Sequence, residues 1–266
     1  MAGPSPTLPV GLCLGGMDPS AGAGLLRDVI TLAALGVQPM AVSTAETVQN
    51  GQACLAIQPP ADPLPRLEAL APHLAPPQAW GVKLGLCALD AHTLGALAAR
   101  VAALAPAARI WDPILAPTSG VGLHSALGLR AMAETLLGTG GWVVCPNLPE
   151  AAALSGAEAG PAGLARPWFE LGAEAVWLKG GHGAGAEVED FWITPEAVLS
   201  LGRARRLPGE RRGTGCTLAS AWLAWRLLGR SGPDAARAAA DFLRRRWEPP
   251  VRPGDYGRPC FAPGAP

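Results

Sequence analysis

Lysine is almost missing from this chain: among its 21 basic residues only Lys83, in "GVKLGL", and Lys179, in "WLKGGHG", are lysines. Ala, Gly, Pro and Arg are abundant along the whole length with no repeat or low-complexity block, so the scarcity reads as compositional drift. The two survivors, each beside glycine at the end of a strand-like run, therefore draw notice. Arginine cannot replace lysine where a compact point charge must reach a phosphate in a tight pocket, although chance placement is the competing explanation. Charge excess is missing too. With 21 acidic residues against 21 basic ones, bulk electrostatics offers nothing to nucleic acid or an anionic membrane, while small charged substrates stay open. No segment approaches the roughly 20 apolar residues of a membrane span, and "MAGPSPTLPVGLCLGG" has neither a basic leader nor a long apolar stretch. The expected location is the cytoplasm. Cys13, Cys54, Cys87, Cys145, Cys216 and Cys260 are scattered without a CxxC pair or a neighbouring His, which argues against disulfides and structural zinc. Cys13, Cys87 and Cys145 sit in apolar runs and read as core. Two phosphate motifs also fail: GxxxxGK[ST] does not occur, and "GAGLLR" lacks the third glycine of GxGxxG.

What is present is apolar and alternating. At 266 residues and 49% hydrophobic content the chain can bury a large core, and no seam divides it. We read one domain over 1–266, with a core of about 10–247 and a proline-rich tail. Strand-like "PVGLCLGG" precedes a helix over Gly22 to Leu35, "AVSTAETV" one over Pro63 to Leu74, and "WGVKLGL" one over Ala91 to Leu104. "RIWDPIL" then leads to a helix from Ser125 to Leu137, and "GWVVCPN" to helical stretches from Pro149 and near Gly163. After "AVWLKGGH" come two antiparallel strands, "EDFWIT" and "VLSLGRARR", and helices over Thr214 to Leu228 and Pro233 to Trp247. Such alternation predicts an α/β fold with a mainly parallel sheet covered on both faces, whose ligands bind beyond the carboxyl ends of the strands. Nearly every unusual polar or glycine cluster falls at those ends: Gly15 to Asp18, Gln49-Asn50, Lys83, Asp112, Asn147 with Glu150, Lys179 to His182, and Gly213 to Cys216. One rim and one site are implied.

The chemistry of that rim suits phosphate. "GTGC" runs directly into an apolar helical pattern, so Gly213 to Cys216 lie at a helix N-terminus with bare N–H groups. The helix dipole, Arg211 and Arg212 are expected to acidify the Cys216 thiol, unless the cysteine merely begins a core helix. In "CPNLPEAAALSG", Asn147 and Glu150 could hold a hydrated magnesium ion and its phosphates, although on spacing alone a helix cap with an acidic first turn is the reading to favour. Asp112 in "WDPIL" supplies a second carboxylate or starts an Asp-Pro turn. Lys179 would meet phosphate oxygens, whereas His182 reads as an exposed turn residue.

"GGMDPSAGAGLLRDVITLAALGVQPMAVSTAETVQN", "VKLGL", "WDPILAPTSG", "CPNLPEAAALSG", "LKGGHG" and "GTGCTLASA" occur here in one order. In that order the chain, from about Val10 to Leu228, resembles the hydroxymethylpyrimidine and phosphomethylpyrimidine kinases of thiamine biosynthesis, within the ribokinase-like superfamily. The resemblance implies a three-layer ribokinase-like fold, ATP and magnesium as cofactors, a small pyrimidine substrate, and a homodimer. It implies that Cys216, Lys179, Gly213 and Gly215 act in phosphoryl transfer. Gly16, Asp28 and Gln49 would touch the pyrimidine; Lys179, Gly213, Thr214 and Asn147 the nucleotide; Asp112 and Glu150 the metal. A pyridoxal kinase-like enzyme and a non-catalytic pyrimidine-binding homologue are the alternatives. Four departures stand out: Arg211-Arg212 where the family has Thr-His, Val121 where it has Asp after "TSG", a short stretch between Gly156 and Leu171, and the tail after Trp247.

Overall fold

The computed structural model describes residues 7–76, 79–115, 125–155, 160–252 and 258–262; Val121 and Gly156 lie outside them. Nine strands form one sheet in the order β3-β2-β1-β4-β5-β6-β7-β8-β9. They are β1 (Val10–Met17), β2 (Gln38–Gln49), β3 (Cys54–Gln58), β4 (Trp80–Leu84), β5 (Ala108–Trp111), β6 (Val143–Val144), β7 (Ala175–Leu178), β8 (Glu187–Ile193) and β9 (Val198–Arg205). The pairs from β2 through β1, β4, β5 and β6 to β7 are parallel. The flanking pairs β2–β3, β7–β8 and β8–β9 are antiparallel.

The helices are α1 (Gly24–Ala34), α2 (Leu64–Leu70), α3 (Ala91–Ala103), α4 (Ala126–Leu137), α5 (Leu148–Ser155), α6 (Pro161–Glu170), α7 (Thr214–Leu227) and α8 (Gly232–Arg245). They divide between two apolar cores, one on each face of the sheet. Leu67, Leu94, Leu129, Ala151 and Trp168 carry α2 to α6 onto one face. Leu25, Leu32, Trp222 and Phe242 carry α1, α7 and α8 onto the other. Helix α7 is buried at every residue from Cys216 to Ala224, so it is a central helix without a wet face.

Strand β3 was not expected from the sequence. Asn50 Oδ1 accepts the N–H groups of Gln52 and Ala53, at 2.8 and 3.0 Å, and turns the chain back on β2. The Asn-Gly dipeptide that marks this hairpin stands in "QNGQA". The expected helix over Pro63 to Leu74 stays α-helical only to Leu70 and finishes as a 3-10 turn over Ala71–His73. Pro72 has no N–H to continue the ladder.

Candidate active site

The pleat of the parallel strands assembles the site. Trp80, Val82 and Leu84 of β4 enter the core under α2 to α6, so Lys83 between them faces the α1/α7/α8 side. Ile110 of β5, Val143 of β6 and Trp177 of β7 face that same side. Two residues further on stand Asp112, Cys145 and Lys179. Their N–H groups carry the ladder past the strand ends, Asp112 donating to Leu84 O of β4, Cys145 to Trp111 O of β5 and Lys179 to Pro146 O just after β6, each at 2.9 Å. A period of two thus delivers two lysines, a carboxylate and a thiol to the start of α7.

Lys179 Nζ lies 2.6 Å from Asp112 Oδ1, both side chains buried. Burial works against the ammonium charge, and the facing carboxylate more than offsets it, so the Lys179 pKa stands above its ordinary value. The Cys145 thiol donates to the same Oδ1 at 3.7 Å and to Trp111 O at 3.4 Å. The expected core role of Cys145 holds, with an added polar contact. Asp112 Oδ2 points at α7, 2.9 Å from where a Cβ on Gly215 would be. Lys179, Asp112 and the glycine turn therefore meet.

Gly213 caps α7 in the left-handed region, at φ 78°, and a side chain there would strike the carbonyl of Gly22. Next to it the Cys216 thiol is buried and faces the Gly24 N–H. It is not acidified as expected. Burial pushes its pKa up to about 11; Lys83 pulls down, while Asp28 and Asp112 push up. The two arginines expected to lower it are engaged elsewhere. Arg211 lies over Trp247 at 5.0 Å and pairs with Glu248 at 3.2 Å, and Arg212 pairs with Asp18 at 2.8 Å.

Asp28 of α1 is fully buried beneath this cluster. Its Oδ2 lies 2.7 Å from Lys83 Nζ, and its Oδ1 accepts from Ser220 Oγ of α7 at 2.8 Å. At Lys83 the facing carboxylate outweighs burial and the pKa is raised, whereas at Asp28 burial outweighs the pull of Lys83 and Ser220 and raises the carboxyl pKa as well. This tie joins α1, β4 and α7 and was not legible in the sequence. Gly16, next to last in β1, follows a register shift and packs on Leu86. Gln49 is half-buried at the end of β2, opposite Cys54.

Asn147 and Glu150 form a reciprocal cap at the start of α5. Glu150 Oε2 accepts from Asn147 N at 2.8 Å, and Asn147 Oδ1 accepts from Glu150 N at 2.9 Å. Glu150 is also buried, which pushes its pKa up to about 7, with Lys179 pulling it down and Asp112 pushing it up. The cap thus realises one of the two expected roles and leaves Oε1 outside it. Asn147 bridges to Lys179 through the backbone, so the cap and the lysine belong to one cluster. Among the described residues no three His, Cys, Asp or Glu side chains gather as a metal cage. Two carboxylates near Lys179 instead fit magnesium, which keeps its waters and borrows oxygens from substrate phosphates.

Two groups missed by sequence reasoning brace the loop after Lys179. Asp190 of β8 accepts from Gly180 N at 2.8 Å and Trp177 Nε1 at 3.2 Å. The Arg206 guanidinium binds the carbonyls of Gly181, Gly183 and Gly185. Alternating glycines in "GGHGAG" hinted at a loop needing outside support. His182, as expected, is exposed. A cavity of about 400 Å³ adjoins this loop, walled by Leu148, Leu178, Gly180, Gly183, Phe191 and Arg203.

A model of the phosphomethylpyrimidine kinase family matches residues 18–260 of this chain. The chain belongs to that family. The hydroxymethylpyrimidine/phosphomethylpyrimidine kinase of Rhizobium meliloti is 32% identical to it over 88% of each chain. That of Streptomyces coelicolor is 32% identical over 91% of each. Both support a phosphotransferase. In fold, the kinase is similar to Staphylococcus aureus pyridoxal kinase, solved with AMP-PCP and pyridoxal, with a TM-score of 0.81 at 24% identity over 98% and 95% of the two chains. Clostridium difficile phosphomethylpyrimidine kinase gives 0.73 at 23% identity, over 91% of this chain and all of that one. The fold is ribokinase-like, as the order of motifs implied. No helix among the described residues is long and apolar enough to cross a membrane.

Proposed function

We propose that this kinase transfers the γ-phosphoryl group of ATP to the hydroxymethyl oxygen of 4-amino-5-hydroxymethyl-2-methylpyrimidine, and then phosphorylates the monophosphate. The observation that carries the reading is the meeting of Lys179, Asp112 and the glycine turn Gly213–Cys216 at one rim, in a chain of this family. Magnesium, held by Asp112 and Glu150, would neutralise charge on the β- and γ-phosphates. Lys179 offsets charge on the transferring oxygens, and the N–H groups from Gly213 to Cys216 receive the charge that develops on them. Thr214 and Asn147 flank the nucleotide. Gly16 and Asp28 border the pyrimidine, and the Gln49 amide, able to donate and accept, suits an adjacent ring nitrogen and amino group.

The hydroxymethyl oxygen bonds to the γ-phosphorus, the bond to ADP breaks, and the hydroxyl proton is released. A thiol held near pKa 11 is protonated at neutral pH, so Cys216 positions the hydroxyl rather than receiving its proton from the outset. A loose transition state makes small demand on a base. One domain, a cytoplasmic location and a homodimer complete the reading, the dimer resting on the family resemblance alone.

The test is purified protein with ATP, magnesium and the pyrimidine alcohol, following ADP and the mono- and diphosphate products. Stoichiometric ADP and both phosphates support the reading. Faster turnover of pyridoxal, or pyrimidine binding seen by calorimetry without ATP consumption, would overturn it.

A further inference from the structure

Arg212 stands where the resemblance leads one to expect a histidine, and its side chain leaves the glycine turn altogether. It reaches the loop between β1 and α1, where Nη2 lies 2.8 Å from Asp18 Oδ2 and Nη1 lies 2.8 Å from Ser20 Oγ. The two charged side chains are 4% and 0% exposed. Asp18 meanwhile organises its own loop. It accepts from Ser20 N at 2.9 Å, Ser20 Oγ at 2.7 Å and Ala23 N at 2.9 Å. Gly22 makes room for the guanidinium: a Cβ there would come within 2.5 Å of Nη1. The next residue, Gly213, abuts the Gly22 carbonyl, and Arg212 N donates to Pro259 O at 2.9 Å. The Arg212 side chain holds the β1–α1 loop, and the Gly213 main chain packs against the same loop beside it.

We propose that Arg212 is a positioning residue that fixes the distance between the β1–α1 loop, where the acceptor alcohol sits, and the α7 turn that receives the phosphoryl group. The proposal rests on the phosphoryl-transfer reading above. Each loop keeps its own internal hydrogen bonds without Arg212, so each substrate still finds its half of the site. What is lost is their registration, and a displacement of about 1 Å between reacting atoms costs about 100-fold in rate. A planar guanidinium can hold a carboxylate and a hydroxyl at once, which a lysine ammonium does with less geometric definition.

The experiment compares the full-length parent with Arg212→Met and Arg212→Lys. Arg212→Met is expected to lower kcat about 100-fold with both KM values within about threefold, and Arg212→Lys to recover about tenfold of that loss. Hydrogen exchange of peptides covering 18–23 and 213–217 is expected to quicken together in Arg212→Met. A kcat within twofold of the parent, a loss carried wholly by KM, or unaltered exchange in either loop would overturn the proposal. If Arg212→Met does not fold, Arg212→Gln, which loses the charge and the fork but keeps an amide donor and leaves Asp18 in place, gives the same readouts. Should the parent itself not turn over the pyrimidine, the functional reading fails, while the exchange experiment still decides whether the loops are coupled.

Discussion

Lys179 is the residue on which charge and chemistry coincide, and the two can be separated by substitution. Lys179→Met leaves the Asp112 carboxylate buried without its cation, at a cost of about 3–5 kcal/mol, and removes the donor proposed for the phosphoryl oxygens, for an expected loss of about 100- to 1,000-fold in kcat. Combining Lys179→Met with Asp112→Asn should recover most of the lost melting temperature, while the loss of turnover is read from Lys179→Met alone, since Asp112 is itself proposed to hold the metal. A double variant that regained activity would show the lysine to be structural only. Cys216 offers a second residue-scale test. With the thiol pKa up to about 11, its alkylation by iodoacetamide should be slow at pH 7.5 and keep rising beyond pH 9, and Cys216→Ala should lower kcat by about tenfold rather than the 100- to 10,000-fold typical of a lost general base. Fast labelling at neutral pH would contradict this. The sequence made Lys179 and Asp112 visible because each interrupts an apolar run, and Cys216 because it stands where a glycine turn meets an apolar helical pattern. It hid the partners of Asp18, Arg27 and Asp28, which lie far away in the chain, and it misjudged Arg212 for the same reason.

At the scale of elements, the strand-and-helix alternation was legible because a parallel sheet buried on both faces needs apolar runs at regular intervals. The β2–β3 hairpin was not, since β3 is a five-residue edge strand with exposed Leu55 and only partial burial. Helix α5 illustrates a spacing with two meanings. The three-residue step from Asn147 to Glu150 suits both a cap and an oxygen pair near a metal, and the cap consumes only Oε2 of Glu150. Asn147→Ala should therefore cost about 1 kcal/mol in stability, measured by denaturant titration, and also raise KM for ATP. A stability loss with KM unchanged would confine Asn147 to the cap. For α7, Gly213→Ala forces a Cβ into the Gly22 carbonyl at a left-handed position. Its melting temperature should fall along with kcat.

Across the whole molecule, the carboxyl-terminal residues close a circuit that no local pattern announces. The Arg27 guanidinium donates to Ala21 O at 3.0 Å and Phe261 O at 3.1 Å, Arg258 N donates to Gly51 O at 2.7 Å, and Phe261 is buried against Trp247. Residues 258–262 thus touch α1, the β2–β3 turn and the glycine turn, although the sequence places this proline-rich tail outside the core of about 10–247. Phe261→Ala should destabilise the protein by about 3–5 kcal/mol; a loss below about 1 kcal/mol would show that the tail only rests on the surface. Both halves of the site, and the tail that braces them, matter only if one phosphoryl group passes between them. The direct measurement is a crystal structure with a non-hydrolysable ATP analogue, magnesium and the pyrimidine alcohol. The γ-phosphate should lie within hydrogen-bonding reach, about 3 Å, of both Lys179 Nζ and the N–H groups of Gly213 to Cys216. A triphosphate seated instead in the cavity beside Phe191 and Arg203, out of reach of Cys216, would contradict the account.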